Sequence, residues 1–390
     1  MLTRREFGKL TLAGLPAATV LGGSESVFGA FVQAAKPNSK IDGVQIGTIT
    51  YSYRSMPDQS AEATLKYILD SGISAIELMG GPVESYAGIP TAPGGRGGGR
   101  GPGGPGGGPE AGGGRRGRGA GAPGEQAPLP EGAKMGSWGS TTCVIPPPGD
   151  GRAGGGGRGR RGEPGEMTPE QAAAQAAAQE QAAKVKAWRT SVSMDPFKKL
   201  RKMYNDAGVS IYAWKQLSTN MSDEEYEYIF HVADTLGANH VTLELSNNAE
   251  FTKRIGDFAA KKKMMVAYHA HTQATISAWD AVLDQSKGNA INLDCGHYVA
   301  GTSESPIPLM MKHHSRIASM HLKDRKKATS GAANLPWGQG ETPIKEILLT
   351  MRKEKYKFPA SIELEYQIPE GSDAVVETSK CVQFCKNALA

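Results

Sequence analysis

Cysteine and long apolar runs are scarce in this chain, and each scarcity disfavours a class of protein. The 390 residues include only four cysteines, and their spacing matches neither a zinc ribbon nor a disulfide framework. No apolar run is long enough for a convincing membrane span. No Gly-x-Gly-x-x-Gly motif follows the first predicted strand, so the fingerprint of a dinucleotide-binding fold is missing.

Apolar residues are also nearly absent from residues 91–165, which consist mostly of glycine, proline and arginine. Such a segment has little to bury and cannot offset the entropy lost on ordering, so we expect a disordered, low-complexity insert. Arginine–glycine tracts occur in RNA-binding proteins, where bases stack on aromatic side chains. Trp138 is the only aromatic residue in the stretch. Nucleic-acid binding is therefore not expected.

The first 35 residues have the layout of an export signal. Arg4 and Arg5 precede Lys9, and the moderately apolar stretch that follows carries no charge until Glu25. This order of basic and apolar residues is typical of a twin-arginine signal peptide. We therefore expect residues 1–35 to be removed and the remainder to be exported, most simply to the periplasm. Export of a folded chain would suit an enzyme that acquires its cofactor beforehand.

Outside these two segments, the chain repeats a helical pattern followed by a short β-rich run. Eight such runs lie at residues 43–52, 70–80, 206–215, 235–245, 261–271, 287–297, 315–324 and 357–366. Gly72, Gly208 and Gly237 lie near the start of three of them, at positions where helices commonly end in a left-handed residue. The eightfold alternation predicts a (β/α)8 TIM barrel over residues 41–390, with the insert between its second and third units. An open, doubly wound sheet is the alternative.

Ionisable residues occupy the predicted carboxyl ends of nearly all the strands, where such barrels carry their active sites. They are Glu77, Lys215, Glu244, His269, His271, Asp294, His297, His321, Lys323, Glu363 and Glu365. Any one of them alone could be an ordinary structural residue. Several carboxylates at one barrel mouth, however, repel each other unless a cation or protons intervene. Asp, Glu and His are together ligands of divalent metals, so the pattern predicts one bound divalent metal.

Four motifs carry a resemblance to a known family. In order, INLDCGHYVAG, RIASMHLKDRK, PWGQGETPI and IELEY resemble the sugar phosphate isomerase/epimerase family, whose barrel is of the xylose isomerase type. The resemblance covers residues 41–90 and 185–390. It implies that Asp294 and His321 bind the metal, which would be Mn, Zn, Mg or Co. It also implies that Glu363 is both a ligand and the group that carries the proton.

The resemblance leaves one ligand open. The family supplies a glutamate from the fifth strand, where this sequence has His269. Either His269 binds the metal or Glu244 reaches in from the neighbouring strand, and we favour Glu244 because it keeps two carboxylates in the site. The remaining candidates are assigned to substrate contact: His271, His297, Lys215, Lys323, Glu365 and Trp337.

Such a site is suited to removing a proton next to a carbonyl of a small sugar. Glu363 would take the proton, and Glu244 or His269 would return it on the other face. Epimerisation, aldose–ketose isomerisation and β-elimination from a keto-glycoside share an enediolate intermediate. We predict an isomerase or epimerase, with a lyase or hydrolase acting by β-elimination as the alternative.

Two other functions fit less well. A phosphodiesterase of the apurinic endonuclease type would need further metal ligands on the early strands. A non-catalytic sugar-binding protein would not need Asp294, His321 and Glu363 together.

Overall fold

Eight parallel strands close into a barrel, as predicted. The structure, a computed structural model, describes residues 36–91, 168–219, 221–273 and 275–390, with the backbone of a short hairpin at Lys134–Trp138 and Thr141–Ile145. Strands β1 to β8 are Val44–Ile49, Ala75–Met79, Ser210–Lys215, His240–Glu244, Met265–His269, Asn289–Asp294, Ile317–Leu322 and Ala360–Ile362. Each strand pairs in parallel with the next, and β8 pairs with β1. The open-sheet alternative is therefore excluded.

Helices follow the strands along the chain. Helices α1 to α11 are Ala61–Asp70, Gly80–Tyr86, Pro169–Arg189, Asp195–Asp206, Asp223–Leu236, Ala249–Lys261, Ile276–Gln285, Cys295–Thr302, Ile307–His313, Ile344–Glu354 and Ala374–Leu389. Gly72, Gly208 and Gly237 have φ angles of +73°, +84° and +82° at or just after helix ends, where glycine avoids the strain of a side chain. None of the described helices is long and apolar enough to cross a membrane.

Alternation along β4 shows how the barrel separates its two faces. Val241 and Leu243 point outward into the hydrophobic core, which they share with apolar residues of the surrounding helices. His240, Thr242 and Glu244 have the opposite phase, because successive side chains of a strand point to opposite faces. Each makes a polar contact inside the barrel or at its mouth. The outer face therefore supplies the packing and the inner face the polar groups.

The barrel interior is polar well below its mouth. His240 Nε2 lies 2.9 Å from Ser319 Oγ, and the Tyr212 hydroxyl bonds to Ser361 Oγ. Branched aliphatic residues usually fill this space in TIM barrels. The hydrogen-bonded layer here gives the charged residues above it a polar floor.

The insert lies between α2 and α3. Its flanks are joined by a buried ion pair, in which Arg189 Nε and Nη2 donate to the two carboxylate oxygens of Glu84 at 2.9 and 3.0 Å. Most of the insert predicted for residues 91–165 lies outside the described residues, apart from the antiparallel hairpin noted above. The signal peptide predicted for residues 1–35 also lies outside them.

Candidate active site

Four side chains from four consecutive strands meet at the mouth of the barrel. They are His269, Asp294, His321 and Glu363, and one ligand-type atom from each lies within 4.8 Å of the others. His269 Nε2 lies 3.8 Å from Asp294 Oδ2, and His321 Nδ1 lies 2.9 Å from Glu363 Oε2. All four side chains are buried. The regular spacing of the strands thus brings these residues together, and we call them the four-residue cluster.

The donor atoms of the four-residue cluster fit a divalent metal. Asp294 Oδ2, Glu363 Oε2 and His321 Nδ1 are buried without a well-directed hydrogen bond. Their close contacts are ion pairs, with one another and with Lys323. His269 faces them through Nε2, which lies 3.8 Å from Asp294 Oδ2. Buried carboxylates crowded in this way need a cation among them. Two carboxylates and two imidazoles form a ligand set that Mn, Zn and Co accept readily.

His269 is held in the form that binds metals. Burial lowers its pKa well below the usual histidine range, and the nearby cations Lys215 and His321 lower it further. The imidazole is therefore neutral at physiological pH, and a neutral ring nitrogen can act as a ligand.

His321 is oriented from below by a buried glutamate. Its Nε2 lies 2.8 Å from Glu77 Oε2. Burial alone would lower the pKa of His321, but Glu363 and Glu77 outweigh it and raise the pKa to about 10. Glu77 also accepts hydrogen bonds from Thr242 Oγ1 at 2.7 Å and Asn292 Nδ2 at 3.1 Å. As a ligand, His321 would give up its extra proton, because only the neutral ring binds a metal.

Lys323 places a positive charge among the carboxylates. Its Nζ lies 2.9 Å from Asp294 Oδ2, 2.7 Å from Glu363 Oε2 and 2.8 Å from Glu365 Oε2. Burial disfavours the charged form of Glu363, but Lys323 and His321 hold its pKa well below the usual range. Burial raises the pKa of Asp294 in spite of the nearby ammonium. Lys323, predicted as a substrate contact, is thus buried at the carboxylates themselves.

His297 lies between two cationic side chains. Its backbone N–H donates to Asp294 Oδ1 at 2.7 Å, which caps helix α8. Its Nδ1 faces the guanidinium of Arg325, which is anchored on the carbonyl oxygen of Ala332. Its Nε2 lies 3.0 Å from the Lys323 ammonium. Both cations can only donate, and a neutral imidazole can accept at one ring nitrogen only.

Glu244 lies beside the four-residue cluster and is not a member of it. Its Oε1 lies 2.9 Å from Lys215 Nζ, and its Oε2 lies 3.5 Å from His271 Nδ1. Of the two ligands that the sequence left open, His269 lies in the four-residue cluster, whereas Glu244 Oε2 is buried beside it without a hydrogen-bond partner. The choice of Glu244 over His269 as the metal ligand stays a prediction. His271 is half-exposed, and its ring lies 5.1 Å from that of His269, centroid to centroid.

Two further candidates for substrate contact lie in different surroundings. Glu365 shares the Lys323 ammonium with Glu363, but its side chain is 21% exposed against 6% for Glu363. It therefore lies further out along the same face, as expected. Trp337 instead packs edge-on against Phe384 of helix α11, with ring centroids 5.6 Å apart. The structure thus places Trp337 with the C-terminal helix.

Sequence reasoning missed several residues that shape the site. Glu77 was recognised as a strand end but was given no role, and Asn292 and Arg325 were not considered. A signal existed for Asn292 and Arg325, since each is two residues from a candidate and so shares its face of the strand. Asp324 was missed as well, although it accepts from Gly338 N and Gly340 N at 2.8 Å each and so fixes the loop beside β7.

Comparison with known proteins agrees with this barrel. Residues 194–383 match the family model described as a xylose isomerase-like TIM barrel. The resemblance to this family is confirmed.

A relative of this chain carries the name of an enzyme. An inosose dehydratase from Clostridium botulinum (strain Eklund 17B / Type B) is 27% identical over 154 residues, 34% of this chain. The match spans 51% of that relative, about half its length.

Two solved structures are similar to this chain over most of its length. The crystal structure of a probable 3-DHS dehydratase from Bacillus anthracis has a TM-score of 0.50 at 12% identity and covers 87% of this chain and 98% of that one. A sugar phosphate isomerase/epimerase from Parabacteroides distasonis ATCC 8503 has a TM-score of 0.49 at 13% identity, with 90% and 96% covered.

Proposed function

We propose that this chain is a divalent-metal-dependent sugar isomerase or epimerase that removes a proton next to a carbonyl. The observation that carries the proposal is the convergence of the four-residue cluster from β5, β6, β7 and β8. We assign its members as the metal ligands, and so prefer His269 to Glu244. A divalent cation held there, such as Mn, Zn, Mg or Co, would polarise the carbonyl and hydroxyl oxygens of a bound sugar.

Glu363 is the proposed base. Lys323 and His321 keep its pKa low in spite of burial, so the carboxylate is ionised at neutral pH and can accept a proton. It stands at the end of β8, which brings it to the mouth where a substrate would bind.

Glu244 is the proposed partner that returns the proton. It ends β4, and β4 lies four strands from β8 in either direction around the closed sheet. The two glutamates therefore approach a bound sugar from opposite sides, as epimerisation requires. Lys215 holds Glu244 by an ion pair at 2.9 Å, and His271 lies next to it at the exposed rim.

A second candidate reaction is β-elimination, which the inosose dehydratase relative favours. Loss of a substituent from the β-carbon begins with the same proton removal by Glu363. The two reactions differ in the next step. In epimerisation the α-carbon takes up a proton again, whereas in β-elimination its electron pair expels the oxygen substituent of the β-carbon. A keto-glycoside would then release its aglycone.

We also propose that the enzyme works in the periplasm. The support is the twin-arginine layout of residues 1–35. Export of a reporter fused to these residues, lost when Arg4 and Arg5 are both replaced by Lys, would support the proposal. Export that does not depend on the two arginines would contradict it.

The proposed function is tested by metal analysis and proton exchange on the purified protein. We expect about one divalent metal per chain, and deuterium from D₂O in the carbon-bound position of keto-sugars or keto-glycosides, read by mass spectrometry. Exchange without release of a substituent supports epimerisation or isomerisation, and release supports β-elimination. Metal-free protein that exchanges nothing after addition of Mn²⁺, Zn²⁺, Mg²⁺ or Co²⁺ would contradict the proposal.

A further inference from the structure

Lys323 stands where its charge competes with that of a metal. It follows His321 by two residues, so both side chains point to the same face of the chain. Its Nζ lies within 2.9 Å of Asp294 Oδ2 and Glu363 Oε2, two of the atoms that would bind a divalent cation. The side chain is only 3% exposed. No step of the proposed reaction needs an ammonium at this point.

The position has a clear electrostatic reason. Two buried carboxylates that face each other repel strongly unless a cation lies between them. In this structure the ammonium supplies that positive charge. A divalent cation bound to the same oxygens would neutralise the carboxylates in place of the ammonium. The metal and the ammonium, a few ångströms apart, would then repel each other.

Lys323 has a further carboxylate partner outside the four-residue cluster. Glu365 Oε2 lies 2.8 Å from its Nζ, belongs to a more exposed side chain and is outside the four-residue cluster. On the other side, Nζ lies 3.0 Å from His297 Nε2. Arg325 faces Nδ1 of the same ring, and a neutral imidazole can accept from only one of these two cations. An outward movement of the ammonium would retain its contact with Glu365.

We propose that Lys323 is a built-in cation, which neutralises Asp294 and Glu363 in the metal-free protein and withdraws onto Glu365 when a divalent metal binds. The inference rests on the metal site of the proposed function. Lys323 is thus a positioning residue that keeps the site folded without metal and weakens its affinity for metal. A side chain that only supported the ligands would strengthen the affinity.

The test is the metal affinity of Lys323→Met, measured by calorimetric titration of metal-free protein with Mn²⁺ or Zn²⁺ alone. We expect binding about tenfold tighter or more, because a neighbouring positive charge has been removed. The metal-free variant should melt below the wild type, and metal should restore more stability to it than to the wild type. Lys312→Met is the control, since Lys312 pairs with Asp280 on the surface; its affinity should equal that of the wild type.

A second pair of variants covers the case in which Lys323→Met does not fold. Glu365→Gln should weaken metal binding, because the withdrawn ammonium loses its partner. Lys323→Met combined with Glu365→Gln removes one charge of each sign and should bind metal about tenfold or more tightly than Glu365→Gln alone. Equal or weaker binding by the combined variant would overturn the inference.

The outcomes separate this inference from the proposed function. If the wild type binds metal and Lys323→Met binds it equally or more weakly, the metal site stands and the role of Lys323 is wrong. If neither protein binds a divalent cation, both proposals fail. If only the variants without Lys323 bind, the competition is stronger than proposed and the inference is supported.

Discussion

Glu77 Oε2 lies 2.8 Å from Nε2 of His321, and both side chains are fully buried in the barrel. The glutamate does not belong to the four-residue cluster, yet it decides which ring nitrogen of His321 is free. With Nε2–H donating to Glu77, Nδ1 is the nitrogen left to face Glu363 and a metal. Second partners of this kind fix the tautomer and direction of ligating histidines.

Glu77→Gln should therefore weaken metal binding without removing a ligand. Turned so that its oxygen keeps the hydrogen bond from Thr242, the new amide presents N–H to His321 Nε2. The ring would then carry its hydrogen on Nδ1, the wrong position for a ligand. We expect a loss of about 10- to 100-fold in metal affinity, measured by titration. Glu377→Gln, a buried change beside Tyr366, is the control, and equal losses in both variants would contradict the account.

His269 and Glu244 can be separated by the same titration. His269→Ala removes a member of the four-residue cluster and should lower metal affinity strongly, by about 10-fold or more. Glu244→Gln removes only the partner of Lys215 and should leave the affinity within a few-fold of the wild type. The reverse ranking would restore Glu244 as the ligand favoured on sequence grounds.

The insert should be dispensable for folding. Glu84 and Arg189 already join its flanks through two hydrogen bonds of 2.9 and 3.0 Å, and long surface insertions cost little closure entropy. Replacing residues 94–165 with a short flexible linker should leave cooperative melting within a few degrees of the wild type. In the same background, Arg189→Met should lower the free energy of unfolding by about 3–5 kcal/mol, since it leaves the buried Glu84 carboxylate without its cation. Loss of cooperative melting in the deletion alone would show that the insert contributes to the fold.

His240 should make the protein sensitive to acid. Burial lowers its pKa to about 4, whereas in the unfolded chain the value is about 6.5. Below about pH 6.5 His240 is protonated in the unfolded chain but stays neutral in the folded chain. The free energy of unfolding therefore falls as the pH drops toward 4. The loss approaches about 3 kcal/mol over this window. Urea unfolding at several pH values should show a shallower decline for His240→Gln than for the wild type, and parallel declines would contradict the assignment.

Much of the barrel was predictable from the sequence because its signals are local. Strand β4 alternates Val241 and Leu243 with His240, Thr242 and Glu244, and Gly237 marks the end of the preceding helix. Spacing of one β/α unit then places the strand ends around a single mouth. The same reasoning predicted that Asp294, His321 and Glu363 would converge.

The pairing of side chains at that mouth was not predictable, because it depends on neighbours across the sheet. Glu244 is held by Lys215, which ends the adjacent strand and leaves His269 to complete the four-residue cluster. Lys323 was expected to meet substrate, but its phase with His321 carries it in among the carboxylates. The end of a strand can be predicted from the local sequence, whereas the residue that forms an ion pair with it lies in another part of the chain.

The most direct test of the central claim compares Glu363→Gln with Glu365→Gln in the exchange of the substrate's carbon-bound proton with D₂O. Both changes keep the shape of the side chain, and both residues contact Lys323. We predict that Glu363→Gln retains measurable metal binding but exchanges about 10²- to 10⁴-fold more slowly, because it has lost the proton acceptor. With metal at saturation, Glu365→Gln should be much milder. Exchange at the wild-type rate in Glu363→Gln, with an inactive Glu365→Gln, would contradict the account and move the base two residues along the chain.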